Sequence, residues 1–272
     1  MATKNSNLQR WLTGIVLSVV LLLIIFLGSL EWFAAVIMLI IIIGMWEYNS
    51  IVFGPGFLKE KTEGLILAVL IPVTVLFGNE QWLTALLAFA VMAVFIVFLW
   101  KISENSFDMS SVNKVLFGML YIPLLTSHFI MLRKLDSGIE WIMLVLVIGI
   151  VGDTVALYVG KFFGKRKLIA LVSPGKTVEG TIGLIFGGTA AACLFGYFLI
   201  RDVWLLHFLV LGFAGSIIGQ LGDLCESVIK RNYGKKDASS LLPGHGGLMD
   251  RMDSLIFLGP FVYYYRIFVI GS

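Results

Sequence analysis

Charge is scarce in this chain. Only 14% of its 272 residues are Asp, Glu, Lys or Arg, against 59% hydrophobic ones. With a mean hydropathy of +0.97, that shortage excludes an ordinary soluble domain, in which about a quarter of the residues are charged. Cysteine is nearly absent too. Cys193 and Cys225 both lie in apolar runs, so a disulfide framework has no support, and two small buried side chains are the simpler reading. No low-complexity segment or separable linker interrupts the chain. The first apolar run has no small-residue cleavage pattern and is longer than a secretory signal needs, so it is expected to remain as a membrane segment.

What the chain does have is apolar length. Runs of about twenty residues with almost no charge recur throughout, each long enough to cross a hydrocarbon core of about 30 Å. About nine can be read, near 11–30, 33–48, 65–79, 82–100, 112–131, 141–160, 180–200, 204–222 and 254–270. Peptide groups cannot be left bare in lipid, so these runs should be helices. The expected fold is an all-α polytopic integral membrane protein with about nine transmembrane helices, in one membrane domain. Residues 1–140 supply spans and short connections, and residues 141–272 carry the polar chemistry.

The sparse charges are unevenly placed. With the N-terminus in the cytoplasm, nine spans put the 47–64, 101–114, 161–179 and 223–253 segments on that side. With the N-terminal residues they hold sixteen of the twenty Lys and Arg residues. The other side holds Arg133, Lys134, Arg201 and Arg266. This bias fits the positive-inside rule and turns the two most basic loops, 161–179 and 223–253, toward the cytoplasm.

Past residue 150, aspartates enter the apolar runs. "GDTVALYVGKFFGKR" (152–166) and "GDLCESVIKRNYGKK" (222–236) share Gly-Asp, a basic residue eight positions on, and an aromatic-Gly-basic-basic ending. Eight helical residues rise about 12 Å, so Asp153 and Asp223 are expected that far below an interface marked by Lys161 and Arg231. A carboxylate at such depth normally faces a polar interior and a partner. Glu226 shares a helix face with Asp223.

The segment after Asp223 is the densest polar stretch. Lys230 and Arg231 end a helix, and Lys235, Lys236 and Asp237 follow a glycine. Pro243-Gly244 should turn the chain, and Gly246-Gly247 allow amides to converge on an anion. Asp250 and Asp253 then begin the last helix on one face. One acid there would simply suit the helix dipole. Two acids beside Arg251 and such a loop suggest a hard divalent cation, which takes one or two carboxylates plus substrate phosphates. His245 is open to three readings: a loop hydrogen bond, a phosphate contact or an acid–base role. In "SPGKTVEG" (173–180), Ser173, Lys176 and Thr177 could meet phosphate before a helix beginning near Val178, or Thr177 could merely cap it. A Walker site is not expected, since no glycine precedes the lysine by six and no strand pattern leads in.

The stretch S-x-I-K-R-x4-K-D-x-S-x2-L-P-x-H-G-G-x2-D-R-x-D, from Ser227 to Asp253, resembles the signature of phosphatidate cytidylyltransferases, also called CDP-diacylglycerol synthases. "GDTVALYVGKFFGK", "SPGKTVEG" and "QLGDLCES" extend the likeness over roughly 150–260. Gly175 stands where that family commonly has a lysine, and Ser239 where it commonly has a glycine. The resemblance implies the reaction CTP + phosphatidate → CDP-diacylglycerol + pyrophosphate, assisted by Mg2+ or another divalent cation, with room for a second metal ion. It implies Asp223 and Asp250 as metal-binding acids supported by Asp253, and Lys230, Arg231, Lys236 and Arg251 on phosphates. Ser173, Lys176, Thr177, Ser227, Asp237, His245, Gly246 and Gly247 complete the implied substrate-binding set. The implied partners are CTP, phosphatidate and the bilayer, with no nucleic acid, and a homodimer is compatible with it. The glycines of "GLIFGG" could pack between two copies or within one.

Two rivals fare worse. A transporter would place its acids near the midplane on broken helices, whereas here they crowd toward one face. A CDP-alcohol phosphotransferase would carry D-G-x2-A-R-x8-G-x3-D-x3-D, a run this sequence lacks.

Overall fold

The computed structural model describes residues 14, 16, 18–102, 109–242 and 246–271. It is helical nearly throughout: α1 (Ser18–Leu27), α2 (Leu30–Val52), α3 (Leu58–Phe77), α4 (Glu80–Ile102), α5 (Met109–Met119), α6 (Leu125–Lys134), α7 (Gly138–Phe163), α8 (Val178–Leu199), α9 (Leu205–Asn232) and α10 (Met249–Tyr265). A π turn over Leu120–Leu124 joins α5 to α6 at Pro123. Proline has no N–H to give the helix, and a local widening absorbs the loss.

Among the described residues, seven stretches are long and apolar enough to cross a membrane: α2, α4, the α5–α6 run, α7, α8, α9, and α10 with the π turn that extends it to Ile270. They coincide with seven of the nine expected runs. The other two coincide with α1, described over ten residues, and with α3. The first turns of α3 carry Lys59, Glu60, Lys61 and Glu63, which shorten its charge-free length. Many large apolar side chains face outward, including Trp82, Phe89, Ile96 and Trp100 of α4, as expected of a surface meant for lipid rather than water.

The chain forms two compact units. One comprises Met1–Met131 with Asp237–Asp250, the other Leu132–Lys236 with Arg251–Ser272. In the first, Ile37, Ile41, Met45 and Tyr48 of α2 are buried with Ile71 of α3 and Val115 and Met119 of α5. Tyr48 donates its hydroxyl to the Lys114 carbonyl at 2.9 Å.

In the second unit α7, α8 and α9 pack in succession. Lipid gives apolar helices little reason to associate, so small residues that admit close packing do that work. Gly183 and Gly187 of "GLIFGG" receive Val159 and Val155 of α7, so this glycine face is used within the chain. Trp141 stacks on Phe208 with centroids 6.2 Å apart, and the Arg266 guanidinium lies 5.6 Å over the Trp141 ring.

Between α7 and α8 the chain makes a small antiparallel hairpin, β1 (Lys167–Ile169) and β2 (Ser173–Thr177), with Lys167 opposite Thr177 and Ile169 opposite Ser173. The sequence reads as a loop here, and the hairpin corrects that. Its strands are too short to show alternation, and Pro174 and Gly175 disguise β2.

Candidate active site

In the second unit, three helices bring acids together. Asp153 of α7, Asp223 of α9 and Asp253 of α10 lie within electrostatic reach of one another, with Lys176 acting on Asp153 and Lys230 on Asp253. Gly222 explains part of this closeness. A Cβ there would sit 2.6 Å from the Asp253 carbonyl oxygen, so the Gly-Asp pair lets the α9 backbone reach α10 and carries Asp223 in beside Asp253.

The Asp223 carboxylate is met by Lys176 from β2, with Nζ 2.5 Å from Oδ2 and both side chains about a quarter exposed. Ser227 approaches the other oxygen at 3.4 Å, a weak contact. Beside this pair opens a cavity of about 460 Å3, bounded by Asp153, Lys161, Ser173, Lys176, Thr177 and Gln220, with Leu157 and Leu184 on its apolar wall. Its volume lies in the range of small-molecule sites.

The hairpin that delivers Lys176 is fastened at several points. Glu179, in the first turn of α8, accepts from the Lys165 and Arg166 amides at 3.0 and 3.2 Å, and Arg166 Nε lies 3.3 Å from its other oxygen. Arg231 donates through Nε to the Val172 carbonyl at 3.3 Å and through a terminal nitrogen to the Lys235 carbonyl at 3.2 Å. Thr177 caps α8, its hydroxyl oxygen accepting from the Gly180 amide at 3.1 Å. Lys230 is buried against Glu226 at 2.6 Å. Thus Arg231, Thr177 and Lys230, all expected at phosphates, also build the scaffold. Lys236 and Arg251 are exposed on this unit.

The first unit holds the glycine-rich segment. His245, with Pro243 and Gly244, lies outside the described residues. On either side, the Leu242 amide donates to the Gly246 carbonyl at 2.9 Å, and Gly246 has φ +82°. The Asp250 Oδ2 accepts from the Ala238 amide at 2.9 Å and the Gly247 amide at 2.7 Å. Glu47 of α2, fully buried, accepts from Leu248 at 2.9 Å, from Met249 at 2.7 Å and from the Ser239 hydroxyl at 2.5 Å. The amides released by the glycines are therefore turned toward carboxylates of the chain itself. Asp237 is exposed at the start of this segment.

Sequence reasoning missed Glu47 and Gln220. Gln220 had a signal, a polar residue one turn before Asp223. Glu47 had only its place at the end of an apolar run. Of the two departure positions, Ser239 has a contact that a glycine could not make. Ser239 bonds Glu47 and also accepts from the Leu241 amide at 3.1 Å, while Gly175 edges the cavity with open space where a Cβ would be.

Among the described residues no three His, Cys, Asp or Glu side chains are set to hold a metal ion on protein atoms alone. The donors present are hard carboxylate oxygens only partly balanced by lysine, which suits a cation whose shell is completed by water and substrate phosphate.

Comparison with known proteins follows this geometry. The model of the cytidylyltransferase family matches residues 8–269. The chain is 33% identical over 265 residues to the phosphatidate cytidylyltransferase of Bacillus subtilis, covering 94% of this chain and 96% of that one. It is 32% identical over 289 residues to the protein of the same name from Haemophilus influenzae, covering 96% and 99%. With that of Staphylococcus aureus (strain COL) it shares 34% over 258 residues, covering 92% and 95%. A multi-pass integral membrane protein by its apolar helices, this chain belongs to the cytidylyltransferase family.

Proposed function

We propose that this chain is a phosphatidate cytidylyltransferase, joining CTP and phosphatidate to give CDP-diacylglycerol and pyrophosphate. The observation that carries the reading is the carboxylate–lysine cluster of Asp153, Asp223, Asp253 and Lys176 beside a cavity, in a chain similar over 94% or more of its length to two proteins of that name. A lipid substrate reaches such a site through the bilayer, and a nucleotide reaches it from water. The excess of Lys and Arg on one set of loops supports placing the N-terminus, the hairpin and the cavity mouth on the cytoplasmic side.

A phosphatidate oxygen attacks the α-phosphorus of CTP, and the bond from that phosphorus to the bridging oxygen breaks as pyrophosphate leaves. The attacking phosphate is already anionic near neutral pH, since a phosphomonoester loses its second proton near pH 6. A strong general base is unnecessary, and His245 serves as a loop or phosphate contact. What the chain must do is bring two anions together and hold them in line, with positive charge fixed where the leaving group gathers negative charge.

Lys176 and Lys161 supply that charge at the cavity, with Lys236 and Arg251 on phosphates from their exposed positions. Ser173, Thr177 and Ser227 offer hydroxyls, and Asp237, Gly246 and Gly247 shape the loop that approaches substrate. Lys230 and Arg231 act on phosphate by exchanging the partners described above. Asp223 in the second unit, supported by Asp253, and Asp250 in the first are acids that would each take Mg2+ or a similar cation. Such an ion would neutralise phosphate oxygens and polarise the α-phosphorus.

The test is transfer of labelled cytidine nucleotide into lipid by purified protein. Extractable label that requires phosphatidate and is abolished by EDTA is expected. Absence of label from folded protein, across several phosphatidates and metals, would sink the reading.

A further inference from the structure

Glu47 has no part in the reaction just described, yet it accepts three hydrogen bonds. It is fully buried near the end of α2, where an unpaired charge would be strongly destabilising. Its compensation comes from three donors some two hundred residues away in sequence: the Ser239 hydroxyl and the Leu248 amide on Oε1, and the Met249 amide on Oε2. Hydrogen bonds to an ionised acceptor are about twice as strong as neutral ones. Leu248 and Met249 are the residues at which α10 begins, so Glu47 does from another helix what a capping side chain does from its own, at the end of the dipole that favours negative charge.

The consequence falls on Asp250, the next residue. Its Oδ2 is held by the Ala238 and Gly247 amides, which belong to the same segments that Glu47 grips through Ser239 and Leu248. One carboxylate thus fixes the frame, and the second is aimed by it. Gly247 records the fit, because a Cβ there would lie 2.7 Å from Glu47 Oε1 and 2.9 Å from the Ala238 Cβ.

We infer that Glu47 is a positioning residue for the cytidylyl transfer, holding Ser239, Leu248 and Met249 in place so that the Ala238 and Gly247 amides fix the Asp250 carboxylate in one direction. This rests on the assignment of Asp250 proposed above. Glu47, fully buried, acts only through this frame.

E47Q is the variant of choice, since glutamine keeps the shape but replaces one acceptor oxygen by a donor. Hydrogen exchange over 246–249 would be followed in the detergent-solubilised protein without substrate or metal, alongside steady-state kinetics. In E47Q these amides should exchange about tenfold faster or more, the equivalent of losing one bond to a charged acceptor. Turnover should fall about 30- to 100-fold, the scale on which outer partners of functional side chains act. The KM for CTP should stay within about threefold, a split that general loosening of the fold would not give. E47D, which keeps the charge, should recover part of the turnover. Wild-type exchange in E47Q overturns the proposal, as does lost protection with unchanged turnover.

D250N, run in parallel, separates the two assignments. If D250N turns over like wild type, the role of Asp250 falls and that of Glu47 with it. If D250N is inactive while E47Q keeps full turnover, only Glu47 falls. Should E47Q not fold, S239A removes a single one of the three bonds. It should raise exchange and lower turnover by about three- to tenfold, and no change in either would overturn the proposal.

Discussion

Asp223 and Asp250 are assigned the same task and are held in opposite ways. Asp250 is gripped by two backbone amides in a loop that Glu47 closes. Asp223 is met by a lysine at the end of a long side chain carried on a short hairpin. Amides cannot leave without the loop opening, so Asp250 has a fixed direction. An ammonium group can leave by rotating a few torsions, so the charge beside Asp223 is exchangeable. One region supplies geometry and the other supplies movable charge.

The comparison is broken most severely at the acids. D223N and D250N should each lower turnover by about a thousandfold or more, the upper end of losses on removing one electrostatic element of an active site. They should differ in structure. D250N offers the Ala238 and Gly247 amides, which share Oδ2, a neutral carbonyl oxygen in place of a charged one and should speed exchange over 246–249, while D223N should leave those residues as they are. Equal loop protection in both variants would erase the distinction.

K176A tests the movable half. It should raise the CTP concentration needed for half-maximal rate about tenfold, roughly the effect of losing one charge-assisted contact, with a smaller effect on turnover. It should also lower the Mg2+ concentration needed at fixed CTP, because Asp223 would no longer be neutralised. A raised Mg2+ requirement would mean that Lys176 supports the cation rather than standing in for it.

G175K sharpens the same side at the smallest scale. The space around Gly175 is open, so the protein should fold in normal yield. An added cation at the cavity edge should reduce the KM for CTP about two- to fivefold, as partly exposed charges contribute up to about 1 kcal/mol. Unchanged kinetics would remove Gly175 from the nucleotide's surroundings.

Much of this could be read from the sequence because it depends on local spacing. Charge-free length located the apolar helices, and the repeated Gly-Asp singled out Asp153 and Asp223, which lie on α7 and α9 within electrostatic reach of each other. The dense stretch from Ser227 to Asp253 was recognisable because its polar residues have no other reason to sit beside an apolar helix. What escaped depends on contacts remote in sequence. Nothing near Glu47 says that residues 239, 248 and 249 will surround it, and a glycine pair that frees amides does not say which anion they meet. Arg231 reaching the Val172 carbonyl is of the same kind. The hairpin escaped because three- and five-residue strands are too short for a period to register.

The buried meeting of Glu47, Ala238 and Gly247 also constrains how this chain can change over generations. A methyl group added at 247 collides with the carboxylate of 47 and the methyl of 238. A shorter acid at 47 leaves room but draws away from Leu248 and Met249. Each substitution is therefore harmful alone and tolerable only in company, so position 47 should change in step with positions 238 and 247, some two hundred residues away.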